Sequence, residues 1–166
     1  MVTVQGGQRL WLWGRPVALE VAPSPGRTRV KFDEQAGRLQ VWLRKGAGMA
    51  DLKKVLEAWY RARLREVLPE LIARWQARLG VQVYHFALRR VRGYWGKCEP
   101  GWNALTFNSE IARLPGELLE YVVVHELCHL REMNHGPRFW ALLDEYAGGR
   151  ARQLDREMRQ FGKSLR

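Results

Sequence analysis

No stretch of this 166-residue chain approaches the roughly 20 consecutive apolar residues that a bilayer crossing needs. Residues 1–13 lack the basic segment, apolar run and small-residue cleavage site of a secretion signal, so none is expected. Cysteine is nearly missing. Two residues, Cys98 and Cys128, are too few for a disulfide scaffold and point to free thiols in a reducing cytoplasm. There is no G-x-x-x-x-G-K phosphate loop, no internal repeat and no low-complexity segment. Acidic residues number 17 against 28 basic ones, which leaves a net charge of +11. Such an excess favours polyanionic partners such as nucleic acid or nucleotides. The competing explanation is a solvated basic surface, because 22 of the basic residues are arginines spread along the whole chain. Histidine is scarce too: the chain has four, and three of them lie between positions 125 and 135.

Those three, His125, His129 and His135, sit in the stretch Tyr121-Val-Val-Val-His-Glu-Leu-Cys-His-Leu-Arg-Glu-Met-Asn-His135. On a helix, residues four apart share a face and are separated by about 6 Å along the axis, so the imidazoles of His125 and His129 can converge on one ion. Glu126 is swung about 100° round the axis, beside the metal rather than on it. There it can take a proton from a zinc-activated water, the arrangement of the H-E-x-x-H signature. Zinc wants ligands spread tetrahedrally with one position open, and a third donor on the same two turns would add no new direction. Glu132 has that defect. The chain must leave the helix and return: Asn134 tolerates the left-handed conformation that ends helices, His135 follows it, and Gly136-Pro137 can open the next helix. The expected ligands are therefore His125, His129 and His135, with Glu126 as general base.

H-E-x-x-H also arises by chance on amphipathic helices. Here the apolar run Tyr121-Val122-Val123-Val124 would bury the helix and make uncompensated His and Glu side chains costly. A closed structural site is the other alternative. It needs a fourth protein ligand, and Cys128, roughly 60° from His125 on the helical wheel, is the residue at hand.

A chain of this length, with 46% hydrophobic residues and eight tryptophans, buries on the order of two-thirds of its unfolded surface and suits one domain, residues 1–166. Residues 1–48 read as β-rich, with strands at 9–13, 17–21, 28–32 and 38–43. The last two alternate polar and apolar residues as in an antiparallel sheet with one wet face. Residues 50–79 read as helix, with Asp51 as N-cap, Gly80 as stop, and Pro69 kinking the helix or starting a second one. Its polar face carries Arg61, Arg63, Arg65, Arg74 and Arg78, most simply a solvated surface with glutamate partners. Residues 80–166 hold the metal site. Strands are expected at 81–89, 94–98 and 104–108, the metal helix starts at Leu114-Pro115-Gly116-Glu117, and a helix over about 137–146 ends at Gly148-Gly149. The basic remainder is helical or frayed. His85 reads as a packed or surface histidine.

The run Tyr121-Val-Val-Val-His-Glu-Leu-Cys-His-Leu, followed by Asn134-His135 and Phe139-Trp140, resembles the YgjP-like zinc metallopeptidase family. That family belongs to the zincin clan and is related to the WLM and SprT-like proteases. The likeness extends upstream, where Tyr94-Trp-Gly-Lys-Cys98 is similar to an Arg-Trp-Gly-Ser-Cys stretch of the family, and Phe107-Asn108 and Pro115 also match. Tyr94, Lys97 and Gly136 depart from the family's arginine, serine and serine. The resemblance implies an α+β zincin-like fold, a Zn2+ ion on His125, His129 and His135, and catalysis by Glu126.

The expected activity is hydrolysis of peptide bonds in a peptide or protein substrate. Tyr121, Tyr146 and Arg138 are the candidates for stabilising the oxyanion. Two rivals remain: zinc-dependent hydrolysis of a nucleotide phosphoanhydride, and a nucleic-acid-associated module that needs no chemistry.

Overall fold

The structure is a computed structural model that describes residues 9–164. Residues 1–8 and 165–166, which the 1–166 domain assignment includes, lie outside the described residues. The chain is a mixed α+β fold. It runs β1 (Arg9–Leu12), β2 (Arg15–Ser24), β3 (Arg29–Asp33), β4 (Arg38–Arg44), α1 (Met49–Leu79), β5 (His85–Arg89), β6 (Gly96–Glu99), β7 (Ala104–Asn108), α2 (Gly116–Cys128), α3 (Pro137–Tyr146) and α4 (Ala151–Ser164). Short 3-10 turns, Pro100–Trp102 and Ser109–Arg113, flank β7.

The four N-terminal strands form one sheet in the order β1-β2-β4-β3. Alternation sets its faces: Leu10, Leu12, Val17, Leu19, Leu39, Val41 and Leu43 are buried, while Trp11, Glu20 and Arg38 point outward. The antiparallel expectation holds for β1–β2 and β3–β4 but not for the centre of the sheet, where β2 and β4 run parallel. The β3–β4 hairpin folds back so that β4 lies beside β2, which places Leu19 opposite Leu39 and Val21 opposite Val41. Apolar side chains meet in phase in either direction, so the alternation is the same for both.

The first hairpin turns on Trp13 and Gly14, both at positive φ (52° and 74°), as a two-residue primed turn requires. Trp13 was expected to end a strand. Instead, its N–H donates to Ala112 O (2.9 Å) and that of Gly14 to Arg113 O (3.1 Å). A Cβ on Gly14 would lie 3.0 Å from Pro115, so this turn abuts the residue that precedes α2.

Helix α1 is continuous through Pro69, which lies on its exposed side, where the carbonyl left without an N–H partner meets water. Its N-cap is Gly48 rather than Asp51. Asp51 sits in the first turn, and its carboxylate accepts the Gly48 N–H at 3.0 Å. On the basic face, Arg61 pairs with Glu57, Arg63 with Glu66 and Arg74 with Glu120, while Arg78 lies over the Trp75 ring. The buried side of α1 takes the N-terminal sheet through Trp59 and Tyr60; Phe32 meets the Trp59 ring at 5.2 Å.

The second sheet has the order β5-β7-β6, with β5 parallel and β6 antiparallel to β7. Residues 81–84, expected to be strand, precede β5 as irregular chain. Its inner face, Leu105, Phe107 and Cys98, is buried, and β6 is an edge strand packed beside α2.

Candidate metal centre

Helix α2 carries a broad apolar face around its three glutamates and His125. Leu118, Leu119, Val122, Val123, Val124 and Leu127 are all buried, which drives it into the core and carries His125 and Glu126 with it. The helix ends at Cys128, and His129 keeps a helical backbone (φ −66°, ψ −17°) at the C-cap, so the four-residue spacing from His125 survives. The expected left-handed turn at Asn134 is not formed: among the described residues, the positive-φ non-glycines are Trp13 and Asn103. The chain turns earlier, where Cys128 O accepts the N–H groups of Arg131 (3.0 Å) and Glu132 (2.9 Å). It then runs to His135, whose carbonyl accepts the indole N–H of Trp140 (3.2 Å) from the first turns of α3.

The three histidines converge. Ring centroids lie 5.0 Å apart for His125–His129, 5.2 Å for His125–His135 and 4.6 Å for His129–His135, and the ligand atoms all fall within 4.8 Å of one another. His125 Nε2 and His135 Nε2 are 3.1 Å apart. His129 Nδ1 lies 3.1 Å from Glu132 O, which can only accept, so Nδ1 carries the proton and Nε2 keeps its lone pair. Burial, then the neighbouring His129 and His135, push His125 down to about 3; burial lowers His129 as well. Neutral imidazole is the form that ligates metal.

Beneath the rings lies Phe139 of α3, fully buried. Its centroid is 4.9 Å from His125, 4.8 Å from His135 and 4.5 Å from His129, the last stacked at 21°. Glu126 is 6% exposed, and burial raises its carboxyl to about 8. It lies against Gly96 of β6.

Cys128, considered above as a fourth ligand, is fully buried and stands outside the histidine group; burial pushes its thiol up to about 12. Cys98, on the inner face of β6, is also free and is raised to about 12, by burial and then by the Glu126 and Glu99 carboxylates. His85 is exposed on β5, outside the group. Of the oxyanion candidates, Tyr121 is buried edge-on against the His125 ring (5.9 Å), and its hydroxyl has no hydrogen-bond partner among the described residues. Tyr146 donates to Arg78 O at the end of α1, and Arg138 is exposed on α3.

Phe139, Gly96 and Asn108 enter the sequence reading only within the motifs that resemble the family. Phe139 also reads as the apolar side of a helix, and residues 94–108 as a stretch that could hold a peptide by analogy. None of the three carries a role of its own there. Asn108 is buried and clamps the β5–β6 connection, its Nδ2 donating to Val91 O (2.8 Å) and Tyr94 O (3.0 Å). A buried Asn after an apolar strand is the one local hint of such a clamp.

No curated protein matches the chain. Among solved structures it is similar to the metallopeptidase zymogen of Pyrococcus abyssi abylysin, with a TM-score of 0.50 and 23% identity over 57% of this chain and 94% of that one. At that identity the likeness is one of fold. No described helix is long and apolar enough to cross a membrane. A family model described as YgjP-like, metallopeptidase domain, matches residues 2–161, and the chain belongs to that family.

Proposed function

We propose that this chain is a zinc-dependent peptidase in which His125, His129 and His135 hold the ion and Glu126 is the general base. The family implies a metal ion and a protein or peptide substrate. The observation that carries the residue assignment is the convergence of three imidazole donors within 4.8 Å, with a buried carboxylate next in sequence to the first. The donor set fits zinc: three neutral nitrogen ligands leave a fourth position open, and the buried thiol nearest in sequence stays outside. When bound, zinc supplies Lewis acidity toward a carbonyl and brings the pKa of water to about 7.

The chain's own residues orient and move the proton. Glu132 O holds the His129 tautomer, and Phe139 sets the tilt of the rings. Glu126 accepts the proton of the attacking water on its carboxylate and delivers it to the leaving amine. Burial disfavours its charged form, and a cation held by the three histidines would favour the carboxylate that acts as base. The same reading treats residues 1–166 as one functional unit working in a reducing compartment, which the two free thiols support.

The test is Glu126→Gln. The variant should bind zinc as the parent does while kcat on a peptide library falls by about 10²–10⁴-fold. Parallel assays on nucleoside triphosphates separate peptide from phosphoanhydride cleavage. Turnover that survives in zinc-loaded Glu126→Gln refutes the assignment.

A further inference from the structure

We propose that Gly96 is a positioning residue for Glu126: β6 is left bare at this point so that the carboxylate side chain can lie against its backbone. The proposal rests on the reading of Glu126 as general base. A Cβ built on Gly96 would stand 2.6 Å from Glu126 Cγ, 2.7 Å from Oε1 and 2.8 Å from Cδ. Carbon atoms in contact prefer about 3.5–4.0 Å, so a methyl group there must open the gap by about 1 Å. The backbone of Gly96 lies outside the left-handed region, so its conformation is open to any residue. Glycine is required at this position by space alone.

Which side yields decides the consequence, and β6 is held from several directions. Gly96 pairs with Phe107 of β7, whose side chain is fully buried. The preceding carbonyl, Trp95 O, accepts the Asn108 N–H at 2.8 Å, while Asn108 Nδ2 ties down Tyr94 O and Val91 O. The Trp95 ring is backed by α4, lying 3.2 Å from where a Cβ on Gly162 would stand. The obstructed atoms on the other side belong to a flexible carboxylate side chain. Glu126 therefore moves and β6 stays. Proton transfer needs the base within about 2.6–3.2 Å of its proton source, and an error of about 1 Å in such a geometry costs about 10²-fold in rate.

The test is Gly96→Ala, alone and combined with changes at Glu126. Gly96→Ala should retain zinc and KM while kcat falls by about 10²-fold, and adding it to Glu126→Gln should cost no further rate. The second readout needs no metal. In the metal-free protein Gly96→Ala should lower Tm by on the order of 5 °C, and in a Glu126→Ala background the same change should leave Tm unaltered, because the obstructed atoms are gone. An unchanged kcat, or an equal Tm loss in both backgrounds, overturns the proposal. If Gly96→Ala yields no soluble protein, the Gly96→Ala/Glu126→Ala double variant decides: folded supports the contact, insoluble overturns it. Thermal coupling together with an active Glu126→Gln enzyme would reduce Gly96 to a packing residue and sink the general-base reading instead.

Discussion

Replacing Phe139 by leucine separates two jobs that one side chain performs. Phe139 is fully buried and touches all three histidine rings, with centroids at 4.9, 4.5 and 4.8 Å. Leucine keeps the site apolar and most of its volume, so the metal-free protein should lose about 1–2 kcal/mol, well short of the 3–5 kcal/mol of Phe→Ala. The aromatic contacts go entirely. Each is worth about 0.5–1.5 kcal/mol, but all three are already present without metal. Only the part that holds the rings in their ligating tilt bears on binding. One contact's worth, about 1.4 kcal/mol, corresponds to a tenfold weaker zinc affinity. Urea unfolding of the metal-free protein measures the first quantity, and competition with a chromogenic chelator measures the second. Reduced stability with zinc affinity unchanged would show that Phe139 merely fills space and that the histidines hold their own geometry.

Two further changes probe the supports of the fold. Asn108→Ala strands the carbonyls of Val91 and Tyr94 and the N–H of Glu110, so the urea midpoint should fall in step with a loss of about 2–3 kcal/mol, and proteolytic nicking should begin between residues 90 and 95. Full stability would show that the clamp is dispensable. Tyr60 donates its hydroxyl to Trp11 O at 3.0 Å, and burial raises its pKa above the ordinary tyrosine range. The folded state therefore keeps a proton that the unfolded state loses above about pH 10, so this part of the stability is present below that pH and disappears as pH climbs past it. Tyr60→Phe should cost about 1 kcal/mol at neutral pH and flatten the alkaline decline. Identical alkaline slopes for parent and variant would contradict the linkage.

Several elements were legible because they follow from local periodicity. Leu52, Leu64, Leu68, Ile72, Trp75 and Leu79 recur at helical spacing, and α1 buries all of them. Strand direction was not legible. The side-chain repeat in Leu39-Gln-Val-Trp-Leu43 is two residues in a parallel or an antiparallel pair, so nothing local distinguishes them. The turn at Trp13 was hidden for a different reason. Tryptophan at positive φ is unfavourable taken alone, and it is held there by backbone bonds to Ala112 and Arg113, residues with no local link to the hairpin. The sequence puts the end of the metal helix too late, because the tolerance of Asn134 for the left-handed region is a permission. Cys128 O, by accepting two N–H groups, closes the helix before that permission is needed.

The candidate site divides along the same line. Donors on one helix obey a rule written in spacing, so His125, Glu126 and His129 could be read together, and the scarcity of histidine made His135 stand out. The groups that condition those donors come from elsewhere in the chain. A floor under the rings, a bare stretch of strand beside the carboxylate and a clamp on that strand leave no periodic trace, because each is defined by a tertiary neighbour. Gly96 shows the asymmetry best. Nothing in its own backbone asks for glycine, and the demand comes wholly from a side chain on α2. The residues proposed to perform chemistry follow from local pattern, whereas those that bury the Glu126 carboxyl and set its place follow only from what the fold brings against it.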